Sequence, residues 1–213
     1  SGNPVLTSNA FNLQSDYSDK MTIGGTVNKT FLSLMILIGS AYYSWTYISV
    51  TNILLLPSLI GAFIVGIITM KKKIWAPITV PIYGVLQGIF LGIVSNIFNS
   101  MYDGIVITAI SYTLCILFAL LSIYRLGIIK PTENFKLGVG AATMGIAILY
   151  VANLGMSFFG SGIPLMDINN SSMYSIGFSV FVIVIASMNL VVDFDFIEEG
   201  AEKGAPKYME WYG

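Results

Sequence analysis

Six apolar stretches, at about residues 29–49, 53–70, 75–98, 104–125, 137–159 and 174–197, dominate the chain, each closed by polar or glycine-containing turns. They are apolar on all sides rather than along one stripe, so none keeps a face for water. A hydrocarbon core about 30 Å thick takes roughly 20 helical residues at about 1.5 Å each, and these stretches supply them. In lipid the backbone must satisfy its own polar groups, as a helix or a closed barrel does. No alternating pattern of the barrel kind occurs, which leaves helices. Composition agrees, since 55% of the 213 residues are hydrophobic and only 10% charged, against about 25% charged in ordinary soluble domains. The expected fold is all-α: a polytopic membrane helix bundle with six transmembrane helices in this chain.

The cations fix the expected orientation. Lys20 and Lys29 precede the first span, Lys71, Lys72 and Lys73 follow the second, Arg125, Lys130 and Lys136 lie between the fourth and fifth, and Lys203 and Lys207 follow the sixth. With an even number of spans all ten fall on one side, which the positive-inside rule makes cytoplasmic, together with both ends of this chain. The opposite loops carry only Asp103 and Asp167. Trp45 near one span end and Trp75 beside the lysines suit the membrane interface. Residues 1–28 are polar, without the basic and apolar regions of a signal peptide, and are expected as a cytoplasmic amino-terminal segment. Residues 29–197 form the transmembrane domain, and residues 198–213 a cytoplasmic turn leading towards a seventh helix missing from this chain.

Several function classes drop out. The chain has no histidine and one cysteine, Cys115, inside an apolar run; His-based triads and Cys/His zinc sites cannot form within it. A formal charge of −1 without a basic tract gives nucleic acid no footprint. An enzyme is the least expected reading, because intramembrane acids are too few for a paired-carboxylate hydrolase and no buried lysine supports a Ser/Lys nucleophile. The partner the composition does require is the lipid bilayer.

Gly84, Gly88 and Gly92 repeat every four residues in the third span, a smooth ridge of the kind that lets membrane helices approach closely. Gly138 with Ala142, and Ala141 with Gly145, suggest the same in the fifth, so these two spans are expected to be central. Pro77 and Pro81 fall in the first turns of the third span, where lost backbone bonds cost least. Gln87, Asn153 and Asn189 are the polar side chains within spans, expected as interhelical hydrogen-bonding groups.

The sixth span ends in "LVVDFDFIEEG", which carries Asp193 and Asp195 into an apolar run. Ionisable groups in spans are functional hypotheses by default. A helix turns these two about 200° apart, so one ion cannot be shared between them. Asp193 is expected in the interior, on the face it shares with Asn189, and Asp195 at the interface or against another helix. The alternative is that both carboxylates merely reach the headgroups and end the helix.

"SGNPVL", "MTIGGTVNKTFL", "YRLGIIKPTENF" and above all "NLVVDFDFIEEGAEKGAPKYMEWYG" resemble the transmembrane Bax-inhibitor-motif family, in its bacterial YccA-type branch. The resemblance implies six helices around a central seventh, in a bacterial plasma (inner) membrane. It implies a pH-sensitive calcium leak gated by protonation of a carboxylate pair, with one acid from the sixth helix, matching Asp193, and one from the seventh. Asp193, Asp195 and Asn189 are then the ion-pathway or pH-sensing residues, Asp193 the one candidate calcium ligand, and calcium a permeant ion rather than a cofactor. The alternative it implies is a membrane binding protein that modulates a membrane-bound AAA protease, for which the polar residues 1–28 offer a contact.

Overall fold

The computed structural model describes residues 20–129, 131–160, 162–167 and 170–213. Most of the expected amino-terminal segment, residues 1–19, and Lys130 lie outside the described residues. Among the described residues six helical spans are long and apolar enough to cross a membrane, and the all-α class is borne out. They are Ile23–Thr46 (α1), Ile48–Lys71, which joins the single turn α2 (Ile48–Thr51) to α3 (Leu55–Lys71), Lys73–Met101, which contains α4 (Ala76–Met101), Ile105–Arg125 (α5), Glu133–Phe158 (α6) and Met173–Glu202 (α7); a last single turn, α8 (Met209–Tyr212), follows. Among the described residues no strand forms, and one isolated antiparallel bridge joins Lys20 to Pro206.

Two helices begin earlier than their apolar residues do, because capping rather than hydropathy sets a helix start. Thr22 takes extended backbone angles and its hydroxyl accepts from Gly25 N at 3.0 Å, starting α1 at Ile23. Thr132 accepts from Phe135 N at 3.3 Å and starts α6 at Glu133, whose carboxylate suits a helix amino terminus. Lys136, expected in the loop, is thereby drawn onto a helix.

The chain divides into two units, residues 1–109 with 196–213, and residues 110–195. In the first, α4 packs on α1 and α3. Gly84, Gly88 and Gly92 are buried along the α1 contact. A Cβ on Gly88 would overlap Ser40 Oγ and the Leu37 carbonyl oxygen, and one on Gly92 would overlap Ser44 Oγ and the Ala41 carbonyl oxygen. The glycine ridge therefore meets backbone, as its spacing implied. Fully buried Ser44 donates across the seam to the Ile89 carbonyl at 3.1 Å. On the other side of α4, Thr69 donates to Thr79 at 2.7 Å, and Thr79 donates to the Trp75 carbonyl at 3.1 Å. Hydroxyl groups thus supply glue between these helices, at about 0.6 kcal/mol per bond.

The same unit contains a clasp that apolar patterning does not reveal. At the end of α7, Gly204 adopts a left-handed conformation (φ 66°), Gly204 N donates to the Ala201 carbonyl at 3.1 Å and Ala205 N to the Gly200 carbonyl at 2.9 Å, the Schellman arrangement. Pro206 follows and the chain turns back. Met21 N donates to the Ala205 carbonyl at 2.7 Å, and α8 brings Glu210 beneath the start of α1. The Glu210 side chain is buried, and its Oε1 accepts from Thr22 N at 3.0 Å and from the Thr22 hydroxyl at 2.9 Å. A carboxylate there also meets the positive end of the helix dipole. Beside it, Lys29 Nζ lies 5.0 Å from the Trp211 ring centre and Lys73 Nζ 4.8 Å from that of Tyr212.

The second unit differs from expectation in one respect. Gly138 and Gly145 of α6 have open space where a Cβ would stand. Among the described residues of this unit no helix covers their small-residue pattern, whereas in the first unit α4 packs closely as its own pattern implied.

Candidate functional site

The polar groups of the second unit lie along α6 and α7. These helices meet through side chains rather than by close backbone approach, and two bonds define their register. Asn189 of α7 donates to the Thr143 hydroxyl of α6 at 2.8 Å. Nearer the lysine-bearing end, Lys136 Nζ of α6 lies 2.6 Å from Asp195 Oδ2 of α7. From Thr143 to Lys136 is about 10.5 Å along one axis and from Asn189 to Asp195 about 9 Å along the other, so the long lysine arm closes a small difference. Lys136 also lies 3.2 Å from Glu133 Oε1 and so sits between two carboxylates. The Lys136 and Asp195 side chains keep about a quarter of their surface exposed, at 25% and 23%. Beside them the Tyr124 and Phe194 rings tilt together at 5.8 Å.

Asp193 is placed otherwise than expected. It is exposed, and no hydrogen bond or ion pair engages it among the described residues. Asp195, assigned to the interface or another helix, is the acid that another helix holds. The rotation of about 200° between them keeps the two acids from sharing one cation, and the reach of Lys136, rather than the face Asn189 occupies, decides that Asp195 is the one engaged. Asn189 accompanies Asp195 in facing α6, not Asp193, because the reach of Lys136 recruits an acid that helical spacing alone would leave off that face. The signal that could have shown this was Thr132–Glu133, a cap that puts Lys136 on the first turn of a helix.

Asp193 brings one carboxylate, whereas calcium takes about six to eight oxygen ligands. Among the described residues no group of three or more His, Cys, Asp and Glu side chains stands close enough to hold a metal ion. Asp193 and its neighbours do not fit a resident calcium site, and a calcium ion here would be cargo. At the opposite end of α6, a cleft of about 430 Å³ is lined by Asn153, Ser157, Pro164 and Asp167, with Asn153 Oδ1 accepting from Ile163 N at 2.7 Å. Asn153 therefore orders the following loop rather than bonding a neighbouring helix.

The ion pair makes a direct prediction. Lys136→Gln leaves Asp195 without its cation and lowers the melting temperature in detergent by a few degrees, while the Lys136→Gln/Asp195→Asn double variant recovers part of the loss. Singles that add independently in this cycle count against a coupled pair.

Neither the curated proteins nor the solved structures contain a match to this chain. A family model described as Bax inhibitor 1 like matches residues 3–213, nearly the whole sequence. With its six apolar spans and the acid-bearing end of α7, this multi-pass membrane protein belongs to the Bax inhibitor 1 like family.

Proposed function

We propose that the protein is a pH-sensitive calcium leak of the Bax-inhibitor type, with Asp193 as one member of a proton-exchanging carboxylate pair. The observation that carries this is the division of labour on α7: Asp195 is held by Lys136, while Asp193, two residues away, has no partner among the described residues. An acid committed to an ion pair is held in place, whereas an uncommitted one at a span end is open to exchange a proton with a second acid. Asn189 and Asp195 then act as positioning residues, holding α7 against α6 so that Asp193 keeps its direction. The lysine-bearing side, in this reading, is the cytoplasmic side of a bacterial plasma membrane, as the positive-inside rule favours.

The test is calcium uptake into liposomes containing the protein, followed across pH. Flux that varies with pH is expected, and Asp193→Asn is expected to remove that variation while the variant still melts like the parent. An unchanged pH profile in Asp193→Asn rules out its gating role, and no flux at any pH rules out the leak.

A further inference from the structure

We propose that the groove between α3 and α4, with Lys71 and Lys72 at its mouth, seats one anionic phospholipid from the leaflet on the lysine-bearing side. The groove is lined by Leu59, Phe63, Gly66, Ile67 and Met70 of α3 and by Tyr83 of α4. The α3 residues recur at three- and four-residue spacing, so they form one helix face. From Leu59 to Met70 that face is roughly 16 Å long, about half of a hydrocarbon core of about 30 Å. The groove is thus one leaflet deep, and its volume is about 280 Å³.

Its walls are open, with Phe63 68% and Met70 60% exposed. Gly66 makes the hollow: a Cβ there would only touch the Tyr83 ring, at 3.7 Å. The chain then passes directly from Met70 into Lys71, Lys72 and Lys73. Lys73 is drawn towards Tyr212 of the clasp. Lys72 Nζ lies 4.3 Å from the ring centre of half-exposed Trp75, a residue type suited to the headgroup level, and Lys71 is exposed beside it. An apolar slot of one leaflet's depth that opens on two cations at an interfacial tryptophan matches a phosphate carrying an acyl chain. The phosphate lies on Lys71 and Lys72, and the chain runs along Gly66 towards Leu59. Basic pockets between membrane helices recognise lipid headgroups through this combination.

The experiment is native mass spectrometry of the intact protein released from detergent with added dioleoyl-phosphatidylglycerol or dioleoyl-phosphatidylcholine. One phosphatidylglycerol is expected to be retained in preference to phosphatidylcholine. Removing a lysine near the surface weakens retention about fivefold, so Lys71→Gln/Lys72→Gln falls by roughly 25-fold. Arg125→Gln/Lys203→Gln, which removes as much charge elsewhere, leaves retention unchanged. Gly66→Leu fills the groove and lowers phosphatidylglycerol retention as well. Because that variant can fail to fold, a phosphatidylglycerol with a photoreactive acyl chain is also applied to the parent protein, with adducts expected between Leu59 and Met70 or at Tyr83. Equal retention of the two lipids, equal losses in the two double variants, adducts confined to other helices, or pairing of two protein copies through this groove overturns the proposal.

Discussion

Gly88→Leu melts well below the parent in detergent, by roughly 10 °C if overpacking costs about 3 kcal/mol and each kcal/mol moves the midpoint about 2–4 °C in a chain of this size. The position admits no side chain, because the first added carbon already overlaps the Leu37 carbonyl oxygen and Ser40 Oγ. A flexible neighbour could yield; a helix backbone can do so only by moving α1 off α4. That separation also breaks the bond from the Ser44 hydroxyl to Ile89 across the same seam, leaving it the Ala41 carbonyl of its own helix. Gly39→Leu in α1 is the matched control, since nothing stands within 4 Å of a Cβ at that position. It keeps the parent midpoint or gains slightly, as glycine is the weaker helix former. Equal melting of the two variants would mean that the glycine ridge does not carry the α1–α4 contact.

Glu210→Ala opens the clasp. The substitution leaves the Thr22 N–H and hydroxyl without their shared acceptor. Hydrogen bonds to a charged group contribute about 1.5–3 kcal/mol each, and partial exposure of Thr22 brings the expected total loss to about 2 kcal/mol. The loss is local, so the sensitive measurement is amide hydrogen exchange at residues 22–26, which should accelerate by roughly thirtyfold at about 1.4 kcal/mol per factor of ten. Glu210→Gln keeps a neutral acceptor and falls between. Gly25→Ala acts from the other side, because its Cβ overlaps the Glu210 carboxylate. Unchanged exchange in Glu210→Ala would show that the Thr22 hydroxyl caps α1 unaided.

Hydropathy made the spans legible because a helix surrounded by lipid must be apolar on every side, and the interruptions are then few. The close seam of α1 and α4 was legible for a similar reason: only small residues permit it, and Gly84, Gly88 and Gly92 advertise it at four-residue spacing. Gly138 and Gly145 show the limit, since a small residue permits approach without supplying a neighbour. The acid pair was half legible. Helical geometry separated Asp193 from Asp195, but which acid turns inward depends on a cation from another helix. Lys136 looked like a loop residue until Thr132 was seen to cap α6 ahead of it. Glu210 carried no periodic signal at all, because its partner is the backbone of Thr22, 188 residues away in the sequence.

That distance bears on how the protein is made. A ribosome adds about 5–20 residues per second, so α1 enters the membrane roughly 10–40 s before Glu210 exists to close its amino terminus. Throughout that interval the first helix holds its start with Thr22 alone, while the spans from α3 to α7 are inserted. Closure of the first helix is thus a late event in synthesis, and the Thr22 cap has to suffice until Glu210 arrives.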